Sequence, residues 1–401
     1  MREGCPPIYL DNAASTRPSR RVLERVLDHL RGPPGNASSE THAPGRRARA
    51  ALEQARSEVA TLLGAGPEDA IVFTSGGTEA NNLALFGLAQ GRAEGHIVSS
   101  AIEHPSILRP LEALRARGVQ VTLVPVDGCG RVDPQEVARA LRPDTFLISI
   151  MVASNELGTL QPLGELAAIA RGRGIPLHRD GVQAACMLDV DANRVGADLL
   201  SISGHKMHAI QGIGALLVRS QWRDALRPMH LGGDQGEGLR GGTENVPGAL
   251  ALGESARIAL LEREGTRGRV EALRDRLERR LRSIPESTIS GPGAGERLPG
   301  LLHVAFEGVR AEDLMAATPE LAFSRGSACS ARREAPSHVL QAIGASPRVL
   351  HGGVRLSLSG ENTSAEIDSA ASILEERVMA IRAASGEPSA RYGTRAARAP
   401  R

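Results

Sequence analysis

Short apolar runs alternate with stretches of helical periodicity through most of the 401 residues, and this alternation constrains the fold more than any other feature. Helical spacing of apolar residues occurs at 20–30, 48–63, 110–117, 134–141 and 163–171. Apolar runs of strand length occur at 70–74, 96–99, 119–124, 145–152, 175–178, 198–203 and 212–218. The alternation predicts an α/β fold with a mainly parallel sheet covered by helices on both faces.

The C-terminal third departs from this rhythm. An Arg- and Glu-rich helical stretch at 256–284 precedes a Gly/Pro-rich break at 291–300 and a shorter α+β region with strands at 301–306 and 354–358. The chain length is typical of two domains. We predict a large domain over 16–260, a smaller α+β domain formed by 1–15 with 261–382, and a disordered tail over 383–401.

Charge and hydropathy exclude several classes of partner. The formal net charge of +2 gives no basic excess, so no direct contact with nucleic acid is expected. No run approaches the roughly 18 apolar residues of a membrane helix, and residues 1–7 lack the apolar core of a signal peptide. The sequence therefore predicts a cytoplasmic protein without membrane contact.

Lys206 is the only lysine of the chain, and arginine supplies the other cationic side chains. Arginine keeps its proton, whereas a lysine amine can form a Schiff base with a carbonyl substrate or with pyridoxal phosphate. Lys206 follows the apolar run 198–203, and active sites of α/β proteins lie where strands end. We interpret it as a Schiff-base lysine, the alternative being a surface lysine retained by chance.

A turn rich in glycine and hydroxyl groups, at 75–79, joins the run 70–74 to a helical stretch at 80–89. Such a turn exposes backbone N–H groups at the positive end of a helix, which suits a phosphate. Many α/β turns look similar, so this turn is weak evidence by itself.

Further polar residues follow the predicted strands. Asp180 could hold the proton of a pyridinium nitrogen, or could equally be a helix N-cap. Asn155 follows a buried run, and His104 follows another, where a histidine alone is more often structural than catalytic. Arg355 lies inside an apolar strand and needs a partner, for which a substrate carboxylate is a candidate.

The chain has four cysteines, which are too sparse for a disulfide framework and show no C-x-x-C spacing. Cys186 lies in an apolar run and is predicted to be inert, Cys129 lies in a turn, and Cys5 lies in a Pro-rich segment. Cys329 lies among small residues with arginines nearby, a setting that exposes a sulfur and lowers a thiol pKa. It is the candidate nucleophile, or else an exposed bystander.

A Schiff-base lysine, a phosphate turn, an acid for a ring nitrogen and an arginine for a carboxylate are the parts of a pyridoxal phosphate enzyme. The chain resembles the cysteine desulfurases, in the class V aminotransferase group of fold-type I pyridoxal phosphate enzymes. The resemblance rests on the motifs at 9–16, 35–39, 75–79, 155–158, 203–206 (Ser-Gly-His-Lys), 240–245 and 326–329 (Gly-Ser-Ala-Cys). The last motif resembles the branch with a long cysteine loop.

The resemblance implies conversion of L-cysteine to L-alanine. Lys206 would hold the cofactor and move protons at the substrate Cα. Cys329 would attack the sulfur of bound cysteine, become a persulfide and pass sulfur to an acceptor protein, such as an iron–sulfur scaffold or a thiolation enzyme.

The resemblance also implies roles around the cofactor. Its phosphate would be bound by Gly77, Thr78, Ser203 and His205, with Thr243 added by the second subunit of a homodimer. Around the ring, Asp180 would pair with the pyridine nitrogen and Gln183 would contact the hydroxyl. His104 would stack on the ring and would be catalytic together with Lys206 and Cys329. Asn155, which also contacts the cofactor, and Arg355 would hold the substrate carboxylate side. No metal is expected.

The chain departs from the family pattern at Arg179, at Gly181 and Ala185, at 207–211 and at 232–236. Arg179 stands where an apolar residue usually precedes the aspartate, and in a strand it would point to the face opposite Asp180. The segment 207–211 lacks the usual Gly-Pro pair, which alters the local loop. The alternatives are a selenocysteine lyase or another C–S lyase on the same scaffold, or a weakly active scaffold subunit of a sulfur-transfer complex. The acceptor stays open among iron–sulfur, tRNA, DNA and metabolite sulfuration.

Overall fold

The computed structural model describes residues 6–92, 94–326 and 336–385. In these residues the strands are β1 (Ile8–Tyr9), β2 (Ala70–Thr74), β3 (His96–Ser100), β4 (Gln120–Val124), β5 (Thr145–Ser149), β6 (Leu177–Asp180), β7 (Leu199–Ser203), β8 (Gly214–Val218), β9 (Ser287–Ser290), β10 (Leu301–Phe306), β11 (Leu321–Ala322) and β12 (Val354–Ser357). The α-helices are α1 (Arg20–Arg31), α2 (Ala43–Leu63), α3 (Gly77–Ala89), α4 (Pro105–Arg115), α5 (Pro134–Ala140), α6 (Leu163–Arg173), α7 (Ala192–Val195), α8 (Ser220–Arg223), α9 (Val246–Arg282), α10 (Ala311–Ala317), α11 (His338–Ala342), α12 (Pro347–Gly352) and α13 (Ser364–Ser385).

The main sheet has seven strands in the order β2-β8-β7-β6-β5-β3-β4. All neighbouring pairs are parallel except those of β8, which runs antiparallel to β2 and β7. Ile71 and Phe73 of β2 pack into a core with α2, whereas Ala70 and Val72 pack into a second core with α3 and α4. The predicted mainly parallel sheet with helices on both faces is therefore confirmed.

The C-terminal part of the chain forms a smaller antiparallel sheet in the order β12-β10-β9, and its strand β11 pairs in parallel with the N-terminal strand β1. Their core also includes α13. The 37-residue helix α9 contributes its first half, from Val246, to the core against the main sheet, and its second half, from Val270, to the C-terminal core. The domain boundaries stay a prediction; α9 crosses the one at 260, and α13 continues past the one at 382.

Capping residues start several helices earlier than the apolar periodicity predicted. Helix α2 begins at Ala43 rather than 48, because Nδ1 of His42 accepts the N–H of Gly45 at 3.1 Å. Helix α9 begins at Val246 rather than 256, because Oδ1 of Asn245 accepts the N–H of Gly248 at 3.0 Å. None of the helices in the described ranges is long and apolar enough to cross a membrane.

Candidate active site

A cavity of about 430 Å³ lies where the parallel strands of the main sheet end. Polar residues that follow different strands meet at this edge. The cavity is lined by most of the residues predicted for the site, namely Gly77, Thr78, His104, Asn155, Asp180, Gln183, Ser203, His205, Lys206 and Arg355. Thr243 is exposed and does not line the cavity of its own chain. Cys329 lies outside the described residues.

Lys206 enters the cavity from a short turn directly after β7. Its Nζ donates to the carbonyl oxygens of Ala13 at 2.5 Å and Ala14 at 2.7 Å. The Ala13 carbonyl also accepts from Nε2 of Gln183 at 3.0 Å. This N-terminal segment is fixed by Ser357, whose Oγ accepts the N–H of Ala13 at 2.8 Å. Backbone from one end of the chain therefore orients the amine.

The N-terminus of helix α3 forms another wall of the cavity. Gly76 precedes the helix at φ 154°, a conformation that favours glycine, and no side chain caps the helix. A Cβ on Gly77 would come within 2.6 Å of Cγ2 of Val182, so glycine is required here. The first N–H groups of an uncapped helix lack intrahelical partners and attract anions.

His205, which follows β7 beside Lys206, is an uncharged group in this site. Burial is the main reason that the pKa of His205 falls to about 4, and the neighbouring Lys206 and His104 contribute to this lowering. Its Nδ1 lies 3.4 Å from Oγ of Ser15. A neutral ring beside the helix N-terminus can donate or accept a hydrogen bond without adding charge.

Asp180 lies within β6, at its last residue, rather than after the strand as the sequence predicted. Oδ1 accepts the N–H of Val182 at 3.0 Å, and Oδ2 accepts from Nδ2 of Asn81 at 2.8 Å. Asn81 also lines the cavity, and the sequence analysis missed it. Its only sequence signal is its polarity on the buried side of α3.

His104 caps helix α4. Its Nδ1 accepts the N–H of Ser106 at 3.1 Å and lies 2.8 Å from Oγ of Ser106. Ser106 in turn accepts from Nδ2 of Asn81 at 2.8 Å. His104 and Asp180 therefore belong to one hydrogen-bond network, in which Ser106 and Asn81 connect them. The sequence predicted His104 and Asp180 but not the two connecting residues.

Arg355 is 1% exposed and already has protein partners. Nη1 donates to the carbonyl oxygen of Asn155 at 2.8 Å, and Nη2 donates to Oγ of Ser324 at 2.8 Å and to Oδ1 of Asp11 at 3.1 Å. Asp11 therefore supplies a negative charge for Arg355. The sequence alone suggested only a substrate carboxylate for this role. Nε is buried and has no hydrogen-bond partner among the described residues. Nε of Arg355 can therefore donate one further hydrogen bond.

Comparison with known proteins gives the family. The model of the class-V aminotransferases matches residues 8–369. The cysteine desulfurase IscS of Anaeromyxobacter dehalogenans is 42% identical over 379 residues, which cover 94% of this chain and 93% of the relative. The chain belongs to the class-V aminotransferases, within the cysteine desulfurase family.

Solved structures of this family have the same fold. A NifS-like protein superposes with a TM-score of 0.86 at 33% identity and covers 93% of this chain and 99% of its own. SspA in complex with cysteine gives a TM-score of 0.77 at 36% identity, with coverage of 88% and 99%. The match to fold-type I, predicted from the sequence motifs, is confirmed.

The departure from the family pattern at Arg179 lies outside the cavity. Arg179 is fully buried on the side of β6 opposite Asp180, as the strand alternation predicted. Its Nη2 donates to the carbonyl oxygen of Leu163 at 2.9 Å and its Nε to that of Val195 at 3.3 Å. It therefore connects β6 to α6 and α7 and does not contact the site.

The departure from the family pattern at 207–211 does reach the cavity. His208 adopts a φ of 60°, and its N–H donates to Oγ1 of Thr16 at 2.8 Å. Nδ1 of His208 lies 2.9 Å from the carbonyl oxygen of Arg17. Gln211 and Gly212 then line the cavity. The altered loop thus packs on the N-terminal segment and still contributes to the site.

Glu103, adjacent to His104, is completely buried. Oε1 accepts from Oγ of Ser100 at 2.6 Å and from the N–H of Met151 at 3.1 Å, while Oε2 has no partner among the described residues. Burial raises the pKa of Glu103 to about 8, against the lowering effect of these two hydrogen bonds. Within this net value of about 8, the charge of Asp180 contributes to the rise and that of Arg179 opposes it. The carboxyl group is therefore mostly protonated at neutral pH.

We expect Glu103→Gln to remove a pH dependence of folding stability. Between the ordinary pKa of 4.5 and the folded pKa of about 8, the folded chain keeps a proton that the unfolded chain loses, so rising pH destabilises the wild type. Glutamine cannot titrate. As the pH rises from 5 to 8, the free energy of unfolding of the variant minus that of the wild type should increase by up to about 1.4 kcal/mol per pH unit. Denaturant unfolding at several pH values measures this, and parallel profiles would contradict it.

Proposed function

We propose that this chain is a cysteine desulfurase that uses pyridoxal phosphate to take sulfur from L-cysteine, forms a persulfide on Cys329 and releases L-alanine. The observation that carries the proposal is the position of Lys206. The only lysine of the chain has its amine in a cavity that also contains the carboxylate of Asp180 and the uncapped N-terminus of α3. A relative of solved structure was determined in complex with cysteine.

The residues of the cavity fit pyridoxal phosphate. Lys206 would bind it covalently, and the phosphate would take the N-terminus of α3 at Gly77 and Thr78 together with Ser203 and His205. Val182 leaves no room for a Cβ at position 77, and the glycine there has no side chain to cover the backbone N–H groups of this wall. Bound there, the cofactor draws electrons from the substrate Cα and so weakens the C–S bond.

The ring of the cofactor would lie between three further side chains. Asp180, whose two oxygens accept hydrogen bonds from Asn81 and Val182, would accept a third from the ring nitrogen. Gln183 would contact the ring hydroxyl, and His104 would stack on the ring.

The remaining steps would be performed by Lys206, Asn155 and Arg355. Arg355 and Asn155, joined by a hydrogen bond of 2.8 Å, would hold the carboxylate of the substrate. Lys206, displaced from the cofactor by the substrate, would move protons at the Cα from its position against Ala13 and Ala14. The two carbonyl oxygens keep the released amine beside the reacting carbon.

Sulfur would leave through Cys329. The thiolate would attack the substrate sulfur, an S–S bond would form, and the electron pair of the C–S bond would stay with carbon, which then takes a proton to become alanine. Described residues that flank the Cys329 segment on its two sides meet at Glu156. Oγ of Ser337 donates to Oε2 of Glu156 at 2.5 Å, and a Cβ on Gly326 would lie 2.9 Å from the same oxygen. Glu156 adjoins Asn155, so both flanks of the cysteine segment lie next to the cavity.

The test is product analysis of the purified chain loaded with pyridoxal phosphate. With L-cysteine and excess dithiothreitol as sulfur acceptor, alanine and sulfide should appear in equal amounts. Formation of pyruvate and ammonia instead of alanine would contradict the proposal, and so would a loaded protein that forms no alanine. Faster turnover of selenocysteine with little of cysteine would favour the lyase alternative.

We also propose a homodimer in which Thr243 completes the phosphate site of the partner subunit. The loop that leads into Thr243 is held by two hydrogen bonds: Nε of Arg240 donates to Oε1 of Glu79 at 3.0 Å, and the N–H of Gly242 donates to Oε1 of Gln235 at 3.0 Å. This leaves the hydroxyl of Thr243 exposed and away from its own cavity. A phosphate of a second copy could therefore reach it.

We expect light scattering to give about twice the chain mass of 42.2 kDa. Thr243→Ala should weaken cofactor retention roughly tenfold, because a hydrogen bond to a charged group is lost. Thr288→Ala on β9 is the matched control and should retain cofactor like the wild type. A monomer that retains cofactor fully would show that one chain closes the site.

A further inference from the structure

We propose that Asn81 and Ser106 are positioning residues that hold the proton of His104 on Nε2, so that this ring serves as a hydrogen-bond donor and takes no proton from the substrate. The position of the proton is a property of the chain alone. Its consequence for the reaction rests on the proposed function.

The first step of the argument is the backbone contact at the start of α4. The N–H of Ser106 points to Nδ1 of His104 at 3.1 Å. A backbone N–H can only donate, so Nδ1 must present its lone pair. A neutral imidazole then carries its single proton on Nε2.

The second step is the hydroxyl of Ser106. Its Oγ lies 2.8 Å from the same Nδ1, which has no proton to give, so the hydroxyl must be the donor. Oγ is then left to accept, and Nδ2 of Asn81 donates to it at 2.8 Å. Both residues are buried, with Asn81 1% and Ser106 7% exposed, so water does not compete.

The third step fixes the direction of this hydrogen-bond chain from its other end. The second hydrogen on Nδ2 of Asn81 goes to Oδ2 of Asp180 at 2.8 Å, and Oδ1 accepts the N–H of Val182 at 3.0 Å. Reversing the amide would place the oxygen of Asn81 against a carboxylate oxygen. Asn81 therefore donates both of its amide hydrogens, one to Asp180 and one to Ser106, and Ser106 donates to His104. This is the one favourable arrangement of hydrogens in the network.

The charges around His104 act in both directions. Burial lowers the pKa of His104, and Lys206, His338 and Arg355 lower it as well, whereas Asp180 raises it. The net direction is downward, which favours the neutral ring. Protonation would place a hydrogen on Nδ1, break the hydrogen bond from the N–H of Ser106 and force the Ser106 hydroxyl to turn from donor to acceptor. Proton transfer at the substrate Cα would consequently fall to Lys206 alone.

The direct test is nitrogen NMR of the chain labelled with ¹⁵N-histidine, without cofactor, with His104→Gln to assign the signals. We expect His104 to show the Nε2–H pattern at neutral pH and to titrate below the ordinary value of about 6.5. An Nδ1–H pattern, an even mixture of the two, or an ordinary titration would overturn the proposal.

Variants separate this positioning role from a general structural one. Ser106→Ala removes one donor to Nδ1 and keeps the other, so the pKa of His104 should rise by about half to one pH unit. Ser106→Thr keeps the hydroxyl and should restore the wild-type value. Asn82→Ala is the control, on helix α3 beside Asn81, since Nδ2 of Asn82 bonds only to the carbonyl oxygen of Thr78 among the described contacts. Equal titration in Ser106→Ala and the wild type would overturn the proposal.

The consequence for the reaction has its own test. Glutamine retains a donor at position 104 but does not titrate, so His104→Gln should keep desulfuration within about tenfold, whereas removal of a catalytic base costs roughly a hundredfold or more. A larger loss in His104→Gln with an Nε2–H pattern in the wild type would refute the donor role. A loaded chain that shows the Nε2–H pattern but turns over no cysteine would leave the proton assignment intact and overturn the proposed function.

Discussion

Lys206→Arg should contain no covalently bound cofactor, and its desulfuration rate should fall by on the order of a thousandfold or more, because the link to the cofactor and the proton transfer are both lost. Arginine keeps the positive charge and its donors, so it can still bond to the carbonyl oxygens of Ala13 and Ala14. The change therefore tests the amine and not the charge. Visible absorbance of the loaded protein and release of alanine measure the two losses.

The location of the link can be measured separately. After borohydride reduction of the loaded wild type, mass spectrometry should find the cofactor on a single peptide that contains Lys206. The chain offers no other lysine. An adduct on the N-terminal peptide, or a cofactor that stays bound in Lys206→Arg after reduction, would overturn the central role of this residue. Circular dichroism checks that the variant is folded.

Cys329→Ser should keep the visible absorbance of the loaded protein but lose sulfide release by about a hundredfold or more, because serine cannot form a persulfide. Mass spectrometry after incubation with L-cysteine should show added sulfur on the peptide that contains Cys329 in the wild type and none in the variant. The variant thus separates cofactor chemistry from sulfur transfer.

Cys129 and Cys186 are the matched controls for this test. Burial raises the pKa of the Cys186 thiol to about 11, and burial together with the charges of Asp127 and Glu296 raises that of Cys129. Both thiols are therefore poorly ionised at neutral pH, and their serine variants should remain active. Added sulfur on Cys129 combined with an active Cys329→Ser would contradict the assignment.

The sequence predicted the part of the site that follows from local order. Lys206, Asn155 and Asp180 each lie at or just after the end of a strand, and strands of a parallel sheet end at one edge, so their proximity follows from the alternation of strands and helices. The phosphate turn was also readable, because glycine and hydroxyl residues at a helix start have a local signature.

The rest of the site depends on long-range contacts that have no local signature. Asp11 meets Arg355 because the N-terminal segment lies beside β12, which is distant in the sequence. Asn81 lies just over one turn inside α3 and Ser106 is the second residue of α4, and a polar residue at such a position usually has no role beyond the helix itself. Their role follows from a tertiary contact: Asp180 at the end of β6 accepts a hydrogen bond from Asn81, which also donates to Ser106.

Helix α9 joins the two cores of the molecule as one rigid rod. At about 1.5 Å per residue its 37 residues extend roughly 55 Å. Fraying at one end would remove apolar partners from the main sheet, and fraying at the other would remove them from the C-terminal core. Neither core can melt without weakening the element on which the other depends. We therefore expect unfolding of either apolar interior to destabilise the other, although the two are separate in the structure.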